Sequence, residues 1–120
     1  MNEIIHFLKS QRHNAWLDVN DFNIYVRKGF HRIDNNLLKC FDIANITNNG
    51  ERGKGKFKQL LNETKNLLES NEELRDGIQA IYVESVLNNR LVISLPTMGF
   101  ELVSNTEPPS FSMKLNLREE

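Results

Sequence analysis

Residues Asn49 to Phe57 read Asn-Gly-Glu-Arg-Gly-Lys-Gly-Lys-Phe, with Gly50, Gly53 and Gly55 interleaved with Arg52, Lys54 and Lys56. An apolar run from Phe41 to Ile46 precedes them, and a helical pattern from Phe57 to Leu68 follows. Strand, glycine-rich turn and helix start is the arrangement this order predicts. The first turn of a helix has unpaired N–H groups and the positive end of the helix dipole, so it attracts anions. Glycines let the backbone approach a phosphate closely, and each cation adds a charge-assisted contact of about 1.5–3 kcal/mol. The chemistry these residues point to is the binding of a phosphate-bearing ligand.

Two motifs claim the loop. Gly50 to Lys56 follows the P-loop pattern G-x-x-x-x-G-K up to the position of its Ser or Thr, where Phe57 stands and the Mg²⁺-binding hydroxyl is missing. Arg52-Gly53-Lys54-Gly55-Lys56 also resembles the first five positions of R-G-x-G-x-[GA], the pyrophosphate loop of the GNAT superfamily of N-acetyltransferases, and Phe57 replaces its small sixth residue. A basic, glycine-rich hairpin with no ligand is the plain alternative. Downstream residues favour the second motif. Ile78 to Val83 reads as a strand, Asn88 as the start of the next helix and Gly99-Phe100 as its close, eleven residues on. With Ile43 to Ile46, Tyr82 to Asn88 and Pro108 to Phe111, these features resemble a compact GNAT branch of the kind found in bacteriophage and prophage genomes. The resemblance spans residues 22 to 117.

That resemblance implies acetyl-coenzyme A as co-substrate and no metal. The amides from Arg52 through Gly53, Lys54, Gly55 and Lys56 to Phe57 would hold its pyrophosphate. Backbone groups of Ala44 and Ile46, on a strand that splays from its neighbour, would pair with the pantetheine arm. Asn45 and Asp42 would face the acyl end, and Asn88 matches the residue that meets the coenzyme near its sulfur. Many relatives protonate the departing thiolate with a Tyr four residues before the Gly-Phe pair; here that position is Leu95, with Tyr82 and Tyr25 as substitutes. Glu84 is the first choice of base and Asp42 the second. Each residue also has an ordinary reading, as strand polar group, helix cap, core tyrosine or surface carboxylate. The implied activity is N-acetyl transfer to a small-molecule or protein amine by direct attack in a ternary complex; a non-catalytic acyl-coenzyme A-binding or protein-interaction module is the alternative.

The elements that must position these residues follow from periodicity. Ile4, Ile5, Phe7 and Leu8 predict a short helix over 2–12. Ala15–Val19 predicts a strand, Asn20-Asp21 a turn, and the alternation of Phe22, Ile24 and Val26 a second strand. After the Asp34-Asn35-Asn36 turn a third strand runs over Leu37–Ile46. Phe57, Leu60, Leu61, Thr64, Leu67 and Leu68 form one helical stripe, which Phe57 begins by packing beneath the helix. Ser70 to Glu73 reads as a capping box opening a brief helix. A strand over Gln79–Ser85, a helix over Val86–Leu95 ended or kinked at Pro96 and terminated by Gly99, and an antiparallel pair Phe100–Val103 and Phe111–Leu117 complete the chain. The expected class is α/β: one mixed, mostly antiparallel sheet with helices on both faces, the acetyl-coenzyme A loop lying between a central strand and its helix.

Composition bounds the rest. The 120 residues suit one domain, and 39% hydrophobic with 26% charged residues is an ordinary globular balance. A net charge of −1 argues against a broad nucleic-acid surface. A single cysteine suits a reducing cytoplasm, and one Cys with three scattered His gives no metal-ligand spacing. No apolar run approaches a membrane span and Met1 to Ser10 lacks the order of a signal peptide, so a cytoplasmic protein, in the host cell if phage-encoded, is expected. The short segment before Phe22 leaves little material for substrate-covering helices, which favours an open groove for a macromolecular amine or a partner subunit. Oligomeric state stays open, a homodimer included.

Overall fold

The structure, a computed structural model, describes residues 1–48, 55–84, 86, 89–104 and 106–117. Its elements in chain order are α1 (Asn2–Lys9), β1 (Asn14–Val19), β2 (Phe22–Ile33), β3 (Asn36–Asn48), α2 (Lys56–Ser70), α3 (Glu72–Arg75), β4 (Ala80–Val83), α4 (Asn89–Thr97), β5 (Glu101–Leu102) and β6 (Phe111–Lys114). The strands form one six-stranded sheet in the order β1-β2-β3-β4-β6-β5. Only β3 and β4 run parallel, and they need the crossover that α2 and α3 provide; the other described pairs are antiparallel. The α/β class with a single mixed sheet is therefore the observed one.

One tight turn sets the register of the long ribbon. Asp34 and Asn35 both adopt positive φ, 50° and 67°, which the short side chains of Asp and Asn tolerate and which matches the twist of a two-residue hairpin. Ile33 consequently faces Asn36, so β3 begins one residue before the sequence predicts. Counting back along the ladder brings Arg27 opposite Asp42. Past Val26↔Ile43 the register shifts: Tyr25 pairs with Asn45, and Ala44 is left over as a bulge. The bulge lets Ile43 and Ile46 both pack on the larger core cluster while Asn45 faces outward.

That cluster joins Ile24, Val26, Phe41, Ile43, Ile81 and Val83 of the sheet to Ile4, Phe7 and Leu8 of α1, Leu60, Leu61 and Leu68 of α2, and Leu74 and Leu95 of α3 and α4. Phe57 starts the α2 stripe as expected, its ring edge-on to Phe22 with centroids 5.5 Å apart. The cap of α3 is Asn71, which accepts from the Leu74 amide at 3.1 Å, whereas Ser70 donates to the Leu67 carbonyl and closes α2. α4 runs over Asn89–Thr97 with Pro96 inside its last turn, so of the two expectations, an end or a kink at Pro96, the helix does not end before it. Pro96 is tolerated because Gly99 (φ 97°) ends the helix at once: its amide donates to the Pro96 carbonyl and that of Phe100 to the Leu95 carbonyl. No described helix is long and apolar enough to cross a membrane.

Candidate active site

The sheet opens where β3 outruns β4. Their pairing ends at Ile43↔Val83, and the Glu84 amide donates to the Ile43 carbonyl at 3.0 Å. From Ala44 to Asn48, β3 pairs on its β2 side but with no described residue on the other. The backbone of β3 beyond Ile43 is therefore an open edge on that side among the described residues. Further along the chain, α2 starts behind Gly55, whose φ of 69° puts it in the left-handed region. Its first turn has no side-chain cap and no acidic residue, so no carboxylate there opposes an anion drawn by the helix dipole.

Of the expected loop residues, Arg52, Gly53 and Lys54 lie outside the described residues, as does Asn88. Gly55, Lys56 and Phe57 open α2. Lys56 is tied by its Nζ to Asp21 Oδ2, pinning the helix start to the β1–β2 turn. Phe57 is a core residue, so only its backbone can face a ligand. Ala44 is half-buried at the bulge, Asn45 is exposed opposite Tyr25, and Ile46 packs on the core. Leu95 is fully buried.

The outward face of the sheet brings Asp42, Glu84 and Tyr82 together with two residues that the sequence analysis passed over, Arg27 and His31. Asp42 is 1% exposed, and its Oδ2 accepts from Arg27 Nη2 at 3.1 Å and lies 2.9 Å from His31 Nε2. Arg27 Nη2 also bonds Glu84 Oε2. The buried Asp42 Oδ1 has no partner among the described residues. Burial opposes the Asp42 charge, yet hydrogen bonds from His31 and Glu84 and the charges of His31 and Arg27 bring its carboxyl below its ordinary value. Glu84 moves the other way, raised first by burial and then by Asp42, with Arg27 pulling against them. The two carboxyls thus compete for a proton, and Glu84 holds it the more tightly. Tyr82 is 5% exposed, its hydroxyl raised by burial against a hydrogen bond with Ser110, and its ring stacks on His31 with centroids 3.7 Å apart and planes 3° from parallel.

His31, Asp42 and Glu84 each offer one ligand atom within 4.8 Å of the others, a set that sequence spacing concealed. Arg27 bonds both carboxylates and supplies the positive charge a cation would bring. A cavity of about 260 Å³ beside β2 is lined by His13, Arg27, Gly29, His31 and Asp42 among others. Gly29 sits between Arg27 and His31 on the strand, and nothing lies within 4 Å of where its side chain would start.

Neither a protein-family model nor a curated protein matches the sequence. Solved structures do. A Tyr-to-Phe mutant of the toxin AtaT, bound to the C-terminus of the antitoxin AtaR and acetyl-CoA, superposes with a TM-score of 0.60 at 15% identity. The same mutant bound to the AtaR C-terminus gives the same values. The fold is GNAT-like. The matched region covers 78% of this chain and 58% of AtaT, so the chain spans well under two thirds of that neighbour's length. At this identity the likeness concerns the fold alone.

Proposed function

We propose that the chain is an acetyl-coenzyme A-dependent N-acetyltransferase of the compact, phage-type GNAT branch. One observation carries the reading: a bulged strand that parts from its parallel neighbour at Ala44 and leads toward a helix with an uncapped, acid-free first turn. An extended amide-bearing arm fits the unpaired edge of β3 from Ala44 to Ile46, and a pyrophosphate fits the amides that open α2 at Gly55, Lys56 and Phe57. Arg52, Gly53, Lys54 and Asn88 complete this assignment by sequence. The coenzyme supplies an acetyl group activated as a thioester.

The chain's own residues then have separable tasks. Amides at Gly55 to Phe57 hold negative charge, the β3 edge orients the arm, and the polar cluster around Asp42, Glu84 and Tyr82 meets the acceptor at the acyl end. Transfer forms an N–C bond and breaks the C–S bond, whose electron pair leaves with sulfur, while the amine's proton passes to the cluster. Buried Leu95 removes the usual thiolate acid; a thiolate leaves readily without one. The acceptor reaches the face of the second cluster, Ile33, Cys40, Ala80 and Tyr82, which contains no helical residue among the described residues. This favours a macromolecular amine, or a second subunit completing the pocket, and the neighbours' complex with a protein partner is in keeping with it.

Leu95 also supports a second reading, a binding module without turnover. Release of free thiol from acetyl-coenzyme A across a panel of amines and amine-bearing proteins separates the two. Cys40 is buried and its thiol pushed up to about 12, first by burial, so the protein adds no background to that assay. Thiol above background supports transfer; coenzyme binding without thiol supports the module.

A further inference from the structure

We propose that His31 is the proton acceptor of the transfer and Asp42 its positioning residue, an assignment that rests on the acetyltransferase reading above. Asp42 is buried as an anion, so its Oδ2 takes the hydrogen of His31 Nε2 across 2.9 Å. That bond fixes the neutral ring in the tautomer with an unprotonated Nδ1, and Nδ1 has no hydrogen-bond partner among the described residues. A ring held by a carboxylate on one nitrogen and bare on the other is the arrangement by which imidazole accepts a proton from a nucleophile.

Charge in the cluster calls for that proton. Once Glu84 has given up its proton, Asp42 and Glu84 bring two negative charges and Arg27 one positive charge, leaving the ionised group one short of neutrality. A proton on His31 supplies the missing charge beside the partnerless Asp42 Oδ1. It arrives over the face of Tyr82, where a stacked ring attracts a cation. Glu84 is the less suited acceptor because Arg27 already bonds its carboxylate. Access comes from the cavity, which His31 lines and the bare Gly29 widens. Of the other ionisable groups at its wall, Lys28 is bonded to the Leu8 and Ser10 carbonyls and Arg27 to the Asp42 and Glu84 carboxylates, and His13 has no side-chain bond to His31 among the described residues; Cys40, outside that wall, stays a neutral thiol. The step balances: the amine loses a proton to Nδ1 as the N–C bond forms, and the imidazolium releases it to water after the thiolate departs.

The test pairs kinetics with a readout that needs no turnover. In the wild type, histidine nitrogen NMR at mildly alkaline pH should show His31 as the Nε2–H tautomer, a preference lost in Asp42→Asn; an Nδ1–H tautomer overturns the proposal. His31→Gln should lower kcat about 10²–10⁴-fold with the KM for acetyl-coenzyme A unchanged. Free imidazole should restore part of the activity of His31→Ala, which a merely structural role would not allow. An active wild type matched by His31→Gln sinks the base alone. A wild type that releases no thiol with any amine sinks the acetyl-transfer reading and the base with it.

Discussion

Asp42 is the residue on which the polar cluster turns, and its energetics give a signed pH dependence. Its carboxyl binds a proton less readily in the fold than in the unfolded chain. The stability its charge brings is therefore complete above the ordinary Asp value of about 3.9 and drains away as pH falls through the lower folded value. Glu84 acts oppositely: its raised carboxyl contributes below the ordinary Glu value of about 4.3, and that contribution is lost as pH rises through the folded value. Equilibrium unfolding across pH should show Asp42→Asn flattening the acid limb and Glu84→Gln removing the decline above it. Gly55 carries a different constraint. A Cβ there would touch nothing within 4 Å, so Val is opposed by the left-handed backbone rather than by a clash, at a cost of about 1–2 kcal/mol. Its side chain would also stand where a pyrophosphate must approach the amides. Gly55→Val should leave the protein folded and weaken coenzyme binding more than tenfold by titration; an unchanged Kd would remove the pyrophosphate from this corner.

At the scale of elements, the strand-to-helix passage was legible, and so were Asp42, Tyr82 and Glu84 as single residues, but the polar cluster they form with Arg27 and His31 was not, for a physical reason. Periodicity in Phe22, Ile24 and Val26 and the stripe from Phe57 to Leu68 report local burial, which each stretch encodes by itself. Arg27, His31 and Asp42 meet only through register, a relation between strands. The signal existed: with Asp34-Asn35 as a two-residue hairpin, Ile33 faces Asn36 and counting back puts Arg27 beside Asp42. A three-residue turn hides it. The bulge at Ala44 was not legible either, because it is a ladder defect. Its removal makes a sharp prediction. Deleting Ala44 would put Ile43 and Ile46 two positions apart, so plain alternation keeps both on the core and Asn45 outward while the bulge itself is lost. The urea midpoint should therefore stay close to that of the wild type, while coenzyme binding by titration should weaken because the strand no longer bends at this point. Phe57→Ala tests the helix: losing a core ring that meets Phe22 edge-on should cost about 3–5 kcal/mol, read as a lower urea midpoint.

For the whole molecule, the open edge at Ala44 is an unfinished part of the sheet. The cluster beneath it is continuous from α1 through β2, β3 and β4 to β6, but the β3 edge beyond Ile43 has no strand beside it among the described residues. Backbone donors and acceptors on such an edge are left to water, and a ligand arm with its own amides can pair with them as a strand would. A coenzyme bound there ties β3 to the start of α2 and is absent from the unfolded chain, so it must raise stability by mass action. At a concentration 100 times its Kd the gain is about 2.7 kcal/mol, which for a chain of this size moves the melting temperature by on the order of 10 °C. ATP with Mg²⁺ should give no comparable shift, because Phe57 stands where a P-loop needs a hydroxyl on the metal and its ring is committed to the core. Differential scanning of the protein with each ligand reads this directly. A shift with ATP–Mg²⁺ and none with acetyl-coenzyme A would return the loop to the nucleotide-binding reading and leave the open strand edge without its ligand.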